Sequence, residues 1–310
     1  MNWLSDEKVN RLRTVVSEPD FSATKYTFVK ELGRGGMGAV YLAEDLELDR
    51  LVAIKVLNTP EITEDLRNRM VREAQIIARL EHPGIVPVHD VGTLADGRIF
   101  YAMKYVRGSR LDEYAAQGAS LRDRLRKFQA VCDAVAFAHA HAVIHRDLKP
   151  QNIMIGSFGE VLVLDWGIAK IRDDPRASAA YQTMEGTVIG TRRYMSPEQA
   201  RGEIDQLDER SDIYALGAVL YFLLNDQPKI SKAAEAICSK AMASAKEDRY
   251  ATASELSADT GRLLDAEPVS AYRENAFERV SRWVSKNRFL VLLVVAYLLM
   301  RIFLIFTSRR

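Results

Sequence analysis

His145-Arg146-Asp147-Leu148-Lys149-Pro150-Gln151-Asn152, followed after a short apolar run by Asp165-Trp166-Gly167, is the stretch from which the rest of the chain can be read. It gathers a carboxylate, an ammonium and two further oxygen-bearing side chains in one short segment. Asp147 is suited to accept or orient a hydroxyl proton, and Lys149 to neutralise charge on a transferring group. Asn152 and Asp165 offer the hard oxygen ligands that Mg²⁺ takes. A loop that carries Asp, Lys and Asn by chance is the plainer alternative, but the density of polar groups favours phosphoryl transfer. Val161-Leu162-Val163-Leu164 reads as a buried strand that would fix Asp165 at the floor of a cleft.

Upstream, Gly33-Arg34-Gly35-Gly36-Met37-Gly38-Ala39-Val40 has G-x-G-x-x-G-x-V spacing. That spacing also serves dinucleotide folds, in which a helix follows the glycines, and ordinary glycine-rich hairpins. Here a second strand follows, which favours a lid whose backbone N–H groups cover nucleotide phosphates. Val52-Ala53-Ile54-Lys55 lies on the next strand and aims Lys55 into the cleft, where an inward ammonium needs an anion. Glu73, on a helix predicted over Asp65–Leu80, is the natural partner; a solvated helix charge beside Arg72 is the bland reading.

Strands are predicted at Tyr26–Leu32, Ala39–Asp45 and Leu51–Leu57, and helices at Leu121–Ala142, Asp212–Leu224, Ala233–Ala243 and Thr252–Leu264, with a short one over Ser5–Val16. A small sheet followed by helices reads as an α+β fold of two packed lobes. The 310 residues, 48% hydrophobic, suffice for that. A net charge of +1 gives no global field for nucleic acid. Cys132 and Cys238 sit in apolar helical patterns without metal-ligand spacing, which speaks against a disulfide framework or zinc site. Residues 1–20 hold no signal-peptide core, so nothing there is expected to direct this end out of the cell.

Taken together, HRDLKPQN, the DWG triplet, the glycine run, Val52–Lys55 and Gly190-Thr191-Arg192-Arg193-Tyr194-Met195-Ser196-Pro197-Glu198 resemble the ordered motifs of bacterial Ser/Thr protein kinases of the eukaryotic type. Trp166 stands where that family usually has Phe, and must find room and a partner for its indole N–H. The resemblance covers residues 26 to about 265. It implies a two-lobed kinase fold that takes ATP and Mg²⁺, with Asp147, Lys149, Lys55 and Glu73 catalytic and Asn152 and Asp165 holding the metal. Nucleotide contacts would come from Gly33, Gly35, Gly38, Val40, Ala53, Lys55, Met154 and the Lys104 to Val106 backbone, with Met103 at the back of the pocket. Glu198 would pair with Arg249, and Asp212 would bond the catalytic-loop backbone. Lys149 with Thr191 implies a protein Ser/Thr acceptor. Arg146 before Asp147 implies an activation loop ordered by phosphorylation, with Thr183 and Thr187 as acceptors and Ser178 as a further candidate. An ATP-binding pseudokinase scaffold is the alternative. Between Asp212 and Arg249 the family has roughly twenty more residues, which form a substrate-docking helix, so acceptor recognition is expected to depart from the usual mode.

Phe289–Met300 is apolar, and Ile302–Phe306 continues beyond a single Arg301. As a helix, 289–306 would reach ~27 Å at ~1.5 Å per residue. Residues 273–288 are rich in Lys and Arg, with Trp283 among them. The expected organisation is an extension (1–25), a small lobe (26–106), a large lobe (107–265), a basic juxtamembrane segment (266–288) and a transmembrane helix (289–306). That makes a single-pass membrane protein with a cytoplasmic kinase domain; a dimer is compatible with it.

Overall fold

The computed structural model describes residues 19–35, 38–57, 71, 74–166, 193–225 and 230–307. Five antiparallel strands form the first sheet: β1 (Tyr26–Gly35), β2 (Gly38–Asp45), β3 (Arg50–Leu57), β4 (Val88–Thr93) and β5 (Ile99–Lys104), in the order β1-β2-β3-β5-β4. The strict alternation of β3 sorts its side chains between two cores. Val52, Ile54 and Val56 face a cluster with Tyr41, Phe100 and Phe21, whose ring lies edge-on to those of Tyr41 (6.3 Å) and Phe100 (6.5 Å). Phe21 lies ahead of β1, so the small lobe's core recruits part of the extension. Ala53 and Lys55 face the other way, and Ala53 joins an apolar cluster that continues into the helical lobe. Of the helix predicted over Asp65–Leu80, residues 71 and 74–80 are described; 71 and 74–78 are helical, and the chain leaves the helix at 79–80. The predicted helix at Ser5–Val16 lies outside the described residues.

A short strand β6 (Gly108–Arg110) and helix α1 (Leu111–Ala116) lead into the long α2 (Leu121–Ala140), capped by Ser120, whose hydroxyl accepts from Asp123 N–H at 3.2 Å. β7 (Ile153–Gly156) pairs with β6 on one side and with β8 (Val161–Val163) on the other in a second, three-stranded sheet. α3 (Pro197–Ala200) precedes α4 (Glu209–Leu224), α5 (Lys232–Ala241) and α6 (Ala253–Leu264). Gly217 lets α4 and α5 approach closely, since a Cβ there would fall 2.6 Å from that of Ala241. α4 ends at Leu224 and α5 begins at Lys232, and among the described residues no further helix lies between them.

Two buried carboxylates pin the helical lobe. Glu198 takes both arms of the Arg249 guanidinium, at 2.8 and 2.9 Å, and the Ser211 hydroxyl at 2.8 Å, joining α3 to α4 and to the turn before α6. Asp259 accepts from Tyr250 Oη (2.9 Å), Ser270 N (2.8 Å), Ser270 Oγ (2.7 Å) and Ala271 N (3.1 Å), fastening the chain beyond α6 onto the lobe.

Beyond it, α7 (Ala276–Lys286) and α8 (Arg288–Thr307) meet at Asn287. Among the described residues no single helix is long and apolar enough to cross a membrane; Ala276–Val284 and Arg288–Arg301 meet the criteria together, bent by 86°.

Burial opposes ionisation of Glu198, but the hydrogen bonds from Arg249 and from Ser211 outweigh it and hold the carboxyl at about 2. A carboxyl held below its unfolded value stabilises the fold fully above pH ~4.5, and that stabilisation is lost as pH falls through about 2. Asp259, also held at about 2, acts in the same window. The expected outcome in urea titrations from pH 6 to 2 is therefore a narrowing gap between wild type and Glu198→Gln as pH falls. Arg249→Met, which strands the buried carboxylate, should cost about 3–5 kcal/mol at neutral pH.

Candidate active site

The cleft floor is built around the loop between α2 and β7. Asp212, near the start of α4 and 1% exposed, accepts from His145 N at 2.7 Å and from Arg146 N at 2.8 Å. Its Oδ2 also meets His139 Nε2 at 2.8 Å. Burial alone would raise its pKa, but the hydrogen bond and electrostatic attraction of His139, with the backbone N–H of His145, more than offset this and lower it. Gln199 Nε2 donates to Arg146 O at 2.8 Å, so the Arg146 backbone is held from both sides. That clamp sustains a left-handed Arg146, φ 64°, a conformation costly for a residue with a Cβ.

The turn so formed delivers the polar groups that follow. Asp147 Oδ2 receives Lys149 Nζ and Asn152 Nδ2, each at 3.1 Å, and Asn152 Nδ2 also donates to Asp147 O at 2.8 Å. Leu164 N donates to Asn152 O at 2.8 Å, which ties this loop to the end of β8 and so to Asp165. His145 completes the brace: its Nδ1 accepts from Asp147 N at 3.2 Å, and its Nε2 reaches Leu164 O at 2.8 Å. Those partners fix the tautomer as Nε2–H.

Asp165 also has a left-handed backbone, φ 55°. Its Oδ1 accepts from Lys55 Nζ at 2.7 Å, so an ion pair crosses from β3 to the helical lobe. Tyr101 Oη lies 3.4 Å from the same oxygen. Burial works against the Lys55 ammonium, yet Tyr101 and Asp165 outweigh it and the pKa rises; burial raises that of the Tyr101 phenol. Trp166 is 1% exposed, and its Nε1 donates to Val163 O at 3.1 Å while its ring packs 4.8 Å from that of His145. The larger indole thus has both its room and its partner.

The remaining predicted residues fall around this floor. Val40 and Lys55 are paired across β2 and β3, and Ala53 pairs with Met103 across β3 and β5. Val40, Ala53, Met103, Val106 and Met154 share one apolar cluster. Lys104 N donates to Pro87 O at 3.1 Å, so that amide is already committed. A Cβ on Gly33 or Gly35 would meet nothing within 4 Å, so the glycine strand end faces open space, whereas on Gly38 it would strike the Val56 carbonyl. Glu73, Thr183 and Thr187 lie outside the described residues, as do Ser178 and Thr191. Sequence reasoning missed Tyr101, although it sits two residues before Met103 and so on the same face of β5. It also missed His139, Gln199 and the bracing role of the His145 side chain.

No hydrogen bond among the described residues uses Asn152 Oδ1 or Asp165 Oδ2. Two uncommitted oxygens beside an Asp–Lys pair suit a hard divalent cation coordinated largely by other ligands, as Mg²⁺ is. Three or more His, Cys, Asp or Glu side chains grouped for a metal do not occur among the described residues.

Comparison with known proteins bears on what this cleft is. Residues 26–271 match the protein kinase domain family. The chain is 38% identical over 290 residues to the serine/threonine-protein kinase PknB of Mycobacterium tuberculosis, an alignment covering 83% of this chain and 45% of that protein. It is 43% identical over 209 residues to a probable serine/threonine-protein kinase PknB of Lactococcus lactis, covering 66% and 32%. It therefore spans less than half the length of these relatives. Among solved structures, the Mycobacterium tuberculosis PknI kinase domain superposes with a TM-score of 0.58 at 28% identity, covering 77% of this chain and 96% of that one.

The Asp212 clamp makes a residue-resolved prediction. Asp212→Asn keeps the size but turns one acceptor into a donor facing an N–H. The expected loss is about 1–3 kcal/mol, with faster amide exchange in peptides covering residues 143–150 than in those of α6. Uniform exchange across both would show that Asp212 stabilises the lobe without shaping the loop.

Proposed function

This chain belongs to the protein kinase family, and on that footing we propose that it is a Ser/Thr protein kinase that transfers the γ-phosphoryl of ATP to protein hydroxyls. The observation that carries the reading is the Asp147–Lys149–Asn152 cluster, set on a clamped backbone and linked through Leu164 to Asp165. Asp147 orients the acceptor hydroxyl and takes its proton as the new oxygen–phosphorus bond forms and the bond to ADP breaks. Lys149, already 3.1 Å from Asp147, balances charge accumulating on the phosphoryl oxygens. Lys55 holds the nucleotide phosphates, exchanging part of its contact with Asp165 for them, and Glu73 is assigned the role of its helix-borne partner. Mg²⁺, held by Asn152 and Asp165, supplies neutralisation of the nucleotide's negative charge when bound. The open space over Gly33 and Gly35 suits a lid on the phosphates, and Val40, Ala53 and Met154 suit the two faces of the adenine, with the Lys104 to Val106 backbone along its edge.

Relatives named as serine/threonine-protein kinases, together with Lys149, support a protein acceptor over a small molecule. Regulation is assigned to phosphorylation at Thr183, with Thr187 second, the added phosphate being read by Arg146. Membrane attachment is assigned to the C-terminal arm, with the kinase domain on the cytoplasmic side, where ATP is.

The test incubates the purified chain with Mg-ATP, wild type beside Asp147→Asn. Robust autophosphorylation in wild type, reduced at least about 100-fold in the variant, is the expected result, with phosphate located by mass spectrometry between Ser178 and Thr191. Absence of signal in both, with ATP still bound, would make the chain a pseudokinase scaffold.

A further inference from the structure

α7 is mounted inside out. Its apolar residues Ala276, Phe277, Val280, Trp283 and Val284 recur at helical spacing on one face, and Glu278, Arg282 and Lys286 form the opposite one. On a globular domain the apolar stripe of such a helix turns inward. Here the polar face does. Glu278 meets Lys232 at the start of α5 at 2.8 Å and accepts from Tyr272 Oη at 3.0 Å. Arg282 Nε and Nη2 grip Glu274 at 2.8 and 2.9 Å, its Nη1 reaches Ala266 O at 3.4 Å, and Lys286 lies 3.4 Å from Glu267. The apolar stripe points away from the lobe, with Phe277 83%, Val280 60%, Trp283 54% and Val284 38% exposed.

We propose that this stripe seats α7 flat in the interface of a lipid bilayer rich in anionic headgroups, with the kinase's helical lobe held against that surface by the polar face. The inference deepens the membrane reading above and rests on it. Continuity argues for lipid rather than a second copy. α8 follows directly, turns through 86°, and exposes apolar side chains along its length, Phe289 at 72%, Leu293 at 69% and Leu299 at 62%. A protein partner on the stripe would leave α8 uncovered, whereas one bilayer covers both, α7 in its plane and α8 entering it. Trp283 has the amphipathic ring favoured at that depth. Arg273, Arg279 and Arg288 flank the stripe with the cations that anionic headgroups attract. The mounting is also stiff, because Asp259 pins Ser270 and Ala271 just ahead of α7.

Site-directed spin labelling of the whole chain in phosphatidylcholine–phosphatidylglycerol vesicles tests this. Single cysteines replace Val280 on the stripe, Lys286 on the polar face and Leu293 on α8; the native Cys132 and Cys238 are buried and stay unlabelled. Circular dichroism matching wild type confirms that each labelled variant is folded. The expected result is that labels at 280 and 293 collide more with dissolved oxygen than with a water-soluble nickel chelate, with the order reversed at 286. If 293 favours oxygen and 280 favours nickel, the interfacial helix is overturned while membrane attachment stands. If all three favour nickel, both fail. Shielding of 280 from both reagents with dipolar broadening would mean that a second copy occupies the stripe, and would also overturn the proposal.

Discussion

Everything at the cleft floor hangs from one buried carboxylate. Asp212 sits in the interior, where an isolated charge is expensive, and stays ionised because two backbone N–H groups and His139 converge on it. What it stabilises in return is a left-handed Arg146, a turn the loop would not adopt alone. From that turn follow the direction of Asp147, the Asn152 contact that fixes it, and the Leu164 bond that carries the geometry to Asp165. The site is thus assembled by backbone donors and acceptors, and its side chains are the visible end of a hydrogen-bond framework begun on α4.

The same division explains what could be read from the sequence. Where periodicity and chemistry coincide, the reading was close: β3 alternates as it must to send Ala53 and Lys55 to the cleft, and α2, α4, α5 and α6 lie within a few residues of their predicted bounds. The polar cluster of the catalytic loop was legible because it is contiguous. The Glu198–Arg249 pair and the reach of Asp212 were available only through family resemblance, since no local pattern announces a partner so far along the chain.

Other features were illegible for a physical reason. Trp166 looked oversized because sequence cannot reveal that Val163 offers a carbonyl to its indole N–H; the neighbouring His145 ring was available through family resemblance. The partner assigned to Lys55, Glu73, lies outside the described residues, and the contact with Asp165, beside Tyr101, went unread because a partner so far along the chain takes tertiary distances. The segment before α8 was read as a basic stretch, and its charges drew attention away from the helical spacing of Phe277, Val280 and Val284. Its orientation is a tertiary fact, decided by Lys232, Glu267 and Glu274.

The clasp at Asp259 has a mechanical meaning. A tether with slack absorbs a push or a twist before it reaches the domain at its end. Here the chain leaves α6, is bolted back onto that helix at Ser270 and Ala271, and passes almost at once into a helix tied to α5. Little length is left to take up strain. A rotation applied at α8 would arrive at α5 and α6 as torque, and those helices pack against α4 and α2, the elements from which the catalytic loop is hung.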